Sequence, residues 1–87
     1  MAAKIKVLGT GCANCSRLEE NARLALEQVQ STDPGFEGEV EKVTDIAAMM
    51  QYGLLSPPGL VINEQLVSKG SVPAPDEIAV WIRESVG

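Results

Sequence analysis

Ile5-Lys6-Val7-Leu8-Gly9-Thr10-Gly11-Cys12-Ala13-Asn14-Cys15 is the stretch on which the reading of this chain turns. Its first four residues form a short β-branched run that stops at Gly9, which predicts a strand. From Cys15 to Gln30 the residues Leu18, Ala22, Ala25, Leu26 and Val29 recur at helical spacing, which predicts a helix. The two cysteines, spaced C-x-x-C, therefore lie between a strand end and a helix start. Unpaired backbone N–H groups at a helix N-terminus stabilise a thiolate, and the thiolate is the form that attacks disulfides. Cys12, just ahead of the helix, is expected to be the more exposed and more acidic thiol. Cys15, one turn inside, is expected to be shielded. That asymmetry suits an attacking and a resolving cysteine in thiol–disulfide exchange.

Working outward, Ser31-Thr32-Asp33-Pro34-Gly35 is a loop of turn formers. Glu37 to Val43 reads as an edge strand, with Glu37, Glu39 and Glu41 on a solvated face and Phe36 and Val40 opposite. Thr44 is the expected N-cap of a short helix from Ala47 to Tyr52, closed by Gly53. Met49 and Met50 are read there as packing residues. Gly59–Asn63 and Gln65–Lys69 predict a hairpin turning at Asn63-Glu64. After Ser71-Val72-Pro73-Ala74-Pro75, a final helix starts with Pro75 at its first position and Asp76 and Glu77 in its first turn. Ile78, Trp81, Ile82 and Ser85 are its expected inward face. The order β-α-β-α-β-β-α implies an α/β fold with a small mixed sheet and helices on both faces.

A second signal is Ser56-Pro57-Pro58-Gly59. A proline just before a core strand lacks a donor for the ladder, which makes sense where the chain turns sharply and leaves an edge open for a guest. A cis Pro57–Pro58 bond, with Pro58 beside the two sulfurs, is the expectation.

The 87 residues carry 7 Lys and Arg against 12 Asp and Glu, a net charge of −5. An acidic chain without a basic cluster is a poor partner for nucleic acid. No apolar run approaches the roughly 18–20 residues of a membrane span. The N-terminus lacks the features of a signal peptide, so the expected location is cytoplasmic, where a C-x-x-C pair is redox-active or metal-binding. The metal alternative is a carrier holding Cu(I) or Zn on the same two sulfurs. Zinc needs more ligands than these, and the chain has no third Cys and no His; copper(I) is content with two thiolates. No Gly-rich dinucleotide loop is present, so no cofactor is expected. Lys4, Lys6 and Arg17 would raise the thiolate population of Cys12 if they approached it.

Gly9-Thr10-Gly11-Cys12-Ala13-Asn14-Cys15, the helix through Leu18-Glu19-Glu20-Asn21, and Pro58 before Leu60-Val61-Ile62 resemble the small thioredoxin-like redox-active disulfide proteins of bacteria and archaea, also called glutaredoxin-like thioredoxins. The similarity runs from Lys4 to about Glu84. It implies a single thioredoxin-like domain over 1–87, with a four-stranded mixed sheet in the order 2-1-3-4 whose first two strands are parallel. It further implies Cys12 as nucleophile, Cys15 as resolving thiol and Pro58 as a substrate-presenting cis-proline. The partners it implies are disulfide-containing proteins and a thioredoxin reductase-like enzyme, with the chain acting as a monomer. Three positions differ from the usual pattern: Ala13-Asn14 has no proline between the cysteines, no Trp precedes the motif, and Pro57 stands where many relatives have Thr. Pro57 thereby removes a backbone N–H at the substrate edge.

Overall fold

The computed structural model describes residues 2–54 and 56–86. The elements run β1 (Ala2–Leu8), α1 (Ala13–Thr32), β2 (Glu37–Val43), α2 (Ile46–Gln51), β3 (Gly59–Ile62), β4 (Gln65–Lys69) and α3 (Pro75–Val86). The strands form one sheet in the order β2-β1-β3-β4. β1 pairs parallel to β2 and antiparallel to β3, and β3 pairs antiparallel to β4. This is the mixed sheet of a thioredoxin fold. Among the described residues no helix is long and apolar enough to cross a membrane.

Alternation along the strands divides the core into two parts. Ala3, Ile5 and Val7 of β1 and Leu60 and Ile62 of β3 face α1 and α3, where they meet Leu18, Ala22, Leu26, Ile78 and Ile82. Leu8 and Val61 point to the other side and pack with Met49 and Leu54 around α2. β3, covered on both faces, is buried along its length. β2 is an edge strand, and its three glutamates are solvated while Phe36 and Val40 turn toward the core. The hairpin turns at Asn63 and Glu64, both in the left-handed region (φ 50° and 70°), as a tight two-residue connection requires.

Several local readings need correction. α2 is capped by Asp45, not Thr44: the Asp45 carboxylate accepts from the Ala47 N–H at 3.0 Å, because it stands immediately before the first helical residue. β1 begins at Ala2, and α1 extends from Ala13 to Thr32, beyond its apolar stripe at both ends. The inward stripe of α3 is Ile78, Ala79 and Ile82, with Trp81 half-buried at its margin. Ser85 is exposed, donating to the Ile82 carbonyl at 2.8 Å and accepting from the Asn63 side chain at 3.3 Å.

Candidate active site

β1 delivers the chain to the site and α1 receives it. Gly9 continues the sheet for one more hydrogen bond, donating to the Val43 carbonyl at 3.0 Å. It must be glycine: a Cβ there would lie 2.8 Å from Cys15 Cβ and collide with the sulfur as well. Gly11, at φ +92°, then turns the backbone in a conformation that disfavours residues with a Cβ. That turn sets Cys12 at the N-cap of α1, in extended geometry (φ −71°, ψ 164°). Its Sγ takes the place of the usual capping oxygen and accepts from the Cys15 N–H at 3.1 Å.

Cys12 and Cys15 are joined as a disulfide, with Cα atoms 5.0 Å apart. Cys12 is exposed, whereas Cys15 retains only 3% of its accessible surface. The outer sulfur can therefore meet a bulky disulfide, and the inner one only a group already attached to the outer. A thiolate at Cys12 would accept the same N–H that its sulfur accepts here, which favours the ionised form. Lys4 and Lys6 are turned elsewhere, Lys4 toward Glu39 at 4.0 Å and Lys6 toward Tyr52 and Glu64. The N-terminus of α1 is in direct contact with the sulfur, through the Cys15 N–H.

β3 brings the second signal to the same end of the sheet. Gly59 pairs with Leu8, so Pro58 enters the sheet opposite the point where β1 runs out toward the cysteines. The Pro57–Pro58 bond is cis. Pro58 is buried and its carbonyl accepts from the Gly70 N–H at 2.8 Å, whereas Pro57 is exposed.

Between Pro57 and the loop before Cys12 runs an open groove of about 420 Å³, lined by Thr10, Ile46, Met49, Met50, Leu54 and Pro57. Among the described residues no charged side chain lines it. Met49 is buried, as the sequence suggested, but Met50 is 65% exposed and Ile46 64% exposed. Met50 is thus a wall of this groove and not a packing residue. Both are spaced i, i+4 in α2, a pattern that could have marked them as one face had the helix been longer.

Residues 3–83 match the thioredoxin domain family. The chain belongs to the thioredoxin family. It is 39% identical over 75 residues to a thioredoxin from the archaeon Methanothermobacter thermautotrophicus (strain Delta H), covering 86% of this chain and 91% of that protein. It is 31% identical over 74 residues to a thioredoxin from Methanocaldococcus jannaschii, covering 85% of this chain and 79% of that one. Family membership and the C-x-x-C pair make the chain a thiol–disulfide oxidoreductase. The metal-carrier alternative gains no support.

Proposed function

We propose that this thioredoxin-family chain reduces disulfides of protein substrates in the cytoplasm, acting as a monomer, and that a flavin-dependent reductase of the thioredoxin reductase kind restores its dithiol. The observation that carries the reading is the exposed Cys12 sulfur capping α1, where it accepts from the Cys15 N–H, linked to a buried Cys15.

In the reduced protein, Cys12 as thiolate attacks one sulfur of the substrate disulfide in line with the S–S bond. The second substrate sulfur leaves as a thiolate and takes a proton, and Cys12 remains in a mixed disulfide. Cys15 loses its proton and attacks Cys12 Sγ, which expels the first substrate sulfur and closes the Cys12–Cys15 bond. Two electrons and two protons pass to the substrate. Among the described residues no charged side chain is buried, so the Cys15 proton leaves to solvent or to the departing substrate sulfur. The apolar groove beside Thr10 and Pro57 supports docking of substrate side chains. Pro57 supplies no N–H there, so a substrate backbone finds a carbonyl at that residue but no donor.

The test is a pair of variants. Cys15→Ser should accumulate a mixed disulfide at Cys12 with a protein substrate, seen as a mass adduct that dithiothreitol releases. Cys12→Ser should reduce nothing; continued reduction by that variant would overturn the assignment of the nucleophile. Recycling is tested by NADPH consumption with a thioredoxin reductase and a protein disulfide, which requires both cysteines if the reading holds.

A further inference from the structure

Away from the cysteines, three side chains from three different elements close a ring. Lys6 of β1 donates from Nζ to the Tyr52 hydroxyl at 2.8 Å and to Glu64 Oε1 at 3.1 Å. Tyr52, directly after α2, donates from its hydroxyl to Glu64 Oε2 at 2.7 Å. The Lys6 ammonium also lies 5.5 Å from the centre of the Tyr52 ring. Glu64 occupies the β3–β4 turn with φ +70°, a conformation that a glutamate adopts only at a cost. Each member satisfies the other two, and both bonds to Glu64 involve an ionised group, the stronger kind of hydrogen bond.

What the ring holds is α2. Six residues are too few for a helix to be stable by itself. Of its own residues only Met49 is buried, and Leu54 just beyond it joins the same small cluster. The Tyr52 side chain is therefore its polar tether to the sheet. α2 also carries Ile46, Met49 and Met50, which wall the groove that reaches Thr10, two residues from Cys12. Any tilt of α2 opens or closes that groove without moving the cysteines, which are fixed by β1 and α1.

We propose that Lys6, Tyr52 and Glu64 are positioning residues for substrate docking: their ring sets the placement of α2 and hence the shape of the groove beside Cys12. This rests on the reading of the chain as a protein-disulfide reductant. The ring acts on how a protein substrate is held and leaves the sulfur chemistry alone. Its members polarise one another in the expected sense. The Tyr52 hydroxyl first, and then Glu64, raise the Lys6 pKa, while Tyr52 and Lys6 hold the Glu64 carboxyl below its ordinary value.

The experiment compares two substrates and two variants. Tyr52→Phe removes the shared hydroxyl and keeps the ring packed; Glu64→Ala removes an exposed carboxylate from a turn and puts the fold at little risk. Steady-state kinetics are measured with insulin and with a small aromatic disulfide that needs no groove. The expected result is a rise in KM for insulin of about 3–10-fold in both variants, with kcat within about twofold. The small disulfide should be reduced at the wild-type rate, and the Met49–Gln51 amides should exchange faster in the variants. Lys6→Arg, which keeps a cationic donor, should recover most of the insulin KM relative to Lys6→Met. An unchanged insulin KM in both variants would overturn the proposal, and so would equal losses on both substrates, which mark general damage. A wild-type chain that reduces neither disulfide would overturn instead the reading on which the proposal rests, whatever the exchange rates.

Discussion

The two faces of the sheet are built on different principles. On one, α1 and α3 bury a continuous layer of aliphatic side chains, from Ala3 and Ile5 through Leu18 and Ala22 to Ile78 and Ile82. On the other, the buried cluster is Leu8, Met49, Leu54 and Val61, and much of the remaining attachment is the polar ring of Lys6, Tyr52 and Glu64. The first face fixes the cysteines, because Cys15 lies in the same helix as Leu18 and is packed against Gly9. The second holds the groove proposed to dock the substrate. A redox carrier needs its sulfurs rigid and its docking surface adaptable, and the division of apolar burial between the faces meets both needs.

The comparison can be broken most sharply by deleting equal volumes on each side. Leu18→Ala should lower folding free energy by about 3–5 kcal/mol, since Leu18 is fully buried among both helices and the sheet. Met49→Ala on the thin face should cost nearer 2 kcal/mol, because α2 can settle into the space. Urea titrations of the two variants check the order; equal losses would mean the faces are not distinct. Gly9→Ala comes next. Its Cβ meets the buried Cys15, and overpacking of that kind costs about 1–3 kcal/mol and should also slow closure of the disulfide. Thermal melts and stopped-flow oxidation would read the two effects.

Smaller again are the effects on the exposed wall. Ile46→Ser and Met50→Ser should change stability by less than about 0.5 kcal/mol, as surface substitutions do, yet raise the KM for a protein disulfide several-fold. A loss of stability without a change in KM would assign these residues to the core after all. The smallest effect is a titration. The Glu64 carboxylate accepts from the Tyr52 hydroxyl and the Lys6 ammonium, so its carboxyl titrates below its ordinary value of 4.5. A carboxylate lowered in the folded chain stabilises it above the unfolded pKa, and that contribution is lost as pH falls through the folded value. Carbon-detected NMR of the Glu64 carboxyl should give a midpoint below 4.5, and Tyr52→Phe should move it upward.

Much of this molecule was legible in its residues, for identifiable reasons. The alternating glutamates of β2 declare an edge strand because a period of two survives any tertiary context, and the observed bounds are Glu37–Val43. Asn63 marked the hairpin because asparagine tolerates the left-handed conformation. The C-x-x-C at a strand–helix junction located the chemistry, since the spacing is itself one helical turn. The strand order came from family resemblance, because no local pattern states which strands are neighbours.

What escaped the sequence was long-range or too short to have a period. α2 is less than two turns, so nothing in Ile46-Ala47-Ala48-Met49-Met50-Gln51 distinguishes the buried Met49 from the exposed Met50. Thr44 and Asp45 are both good caps, and only the path of the chain selects between them. The ring joins Lys6 to residues 46 and 58 positions away, which only the closed sheet brings together.

The central claim is that Cys12 meets substrate while Cys15 waits behind it. Its most direct test is limited alkylation of the freshly reduced protein with iodoacetamide at neutral pH, followed by peptide mass spectrometry over time. The account predicts that Cys12 is modified at least about tenfold faster than Cys15, because it is both exposed and favoured as thiolate by the N-terminus of α1. Equal labelling, or earlier labelling of Cys15, would contradict it.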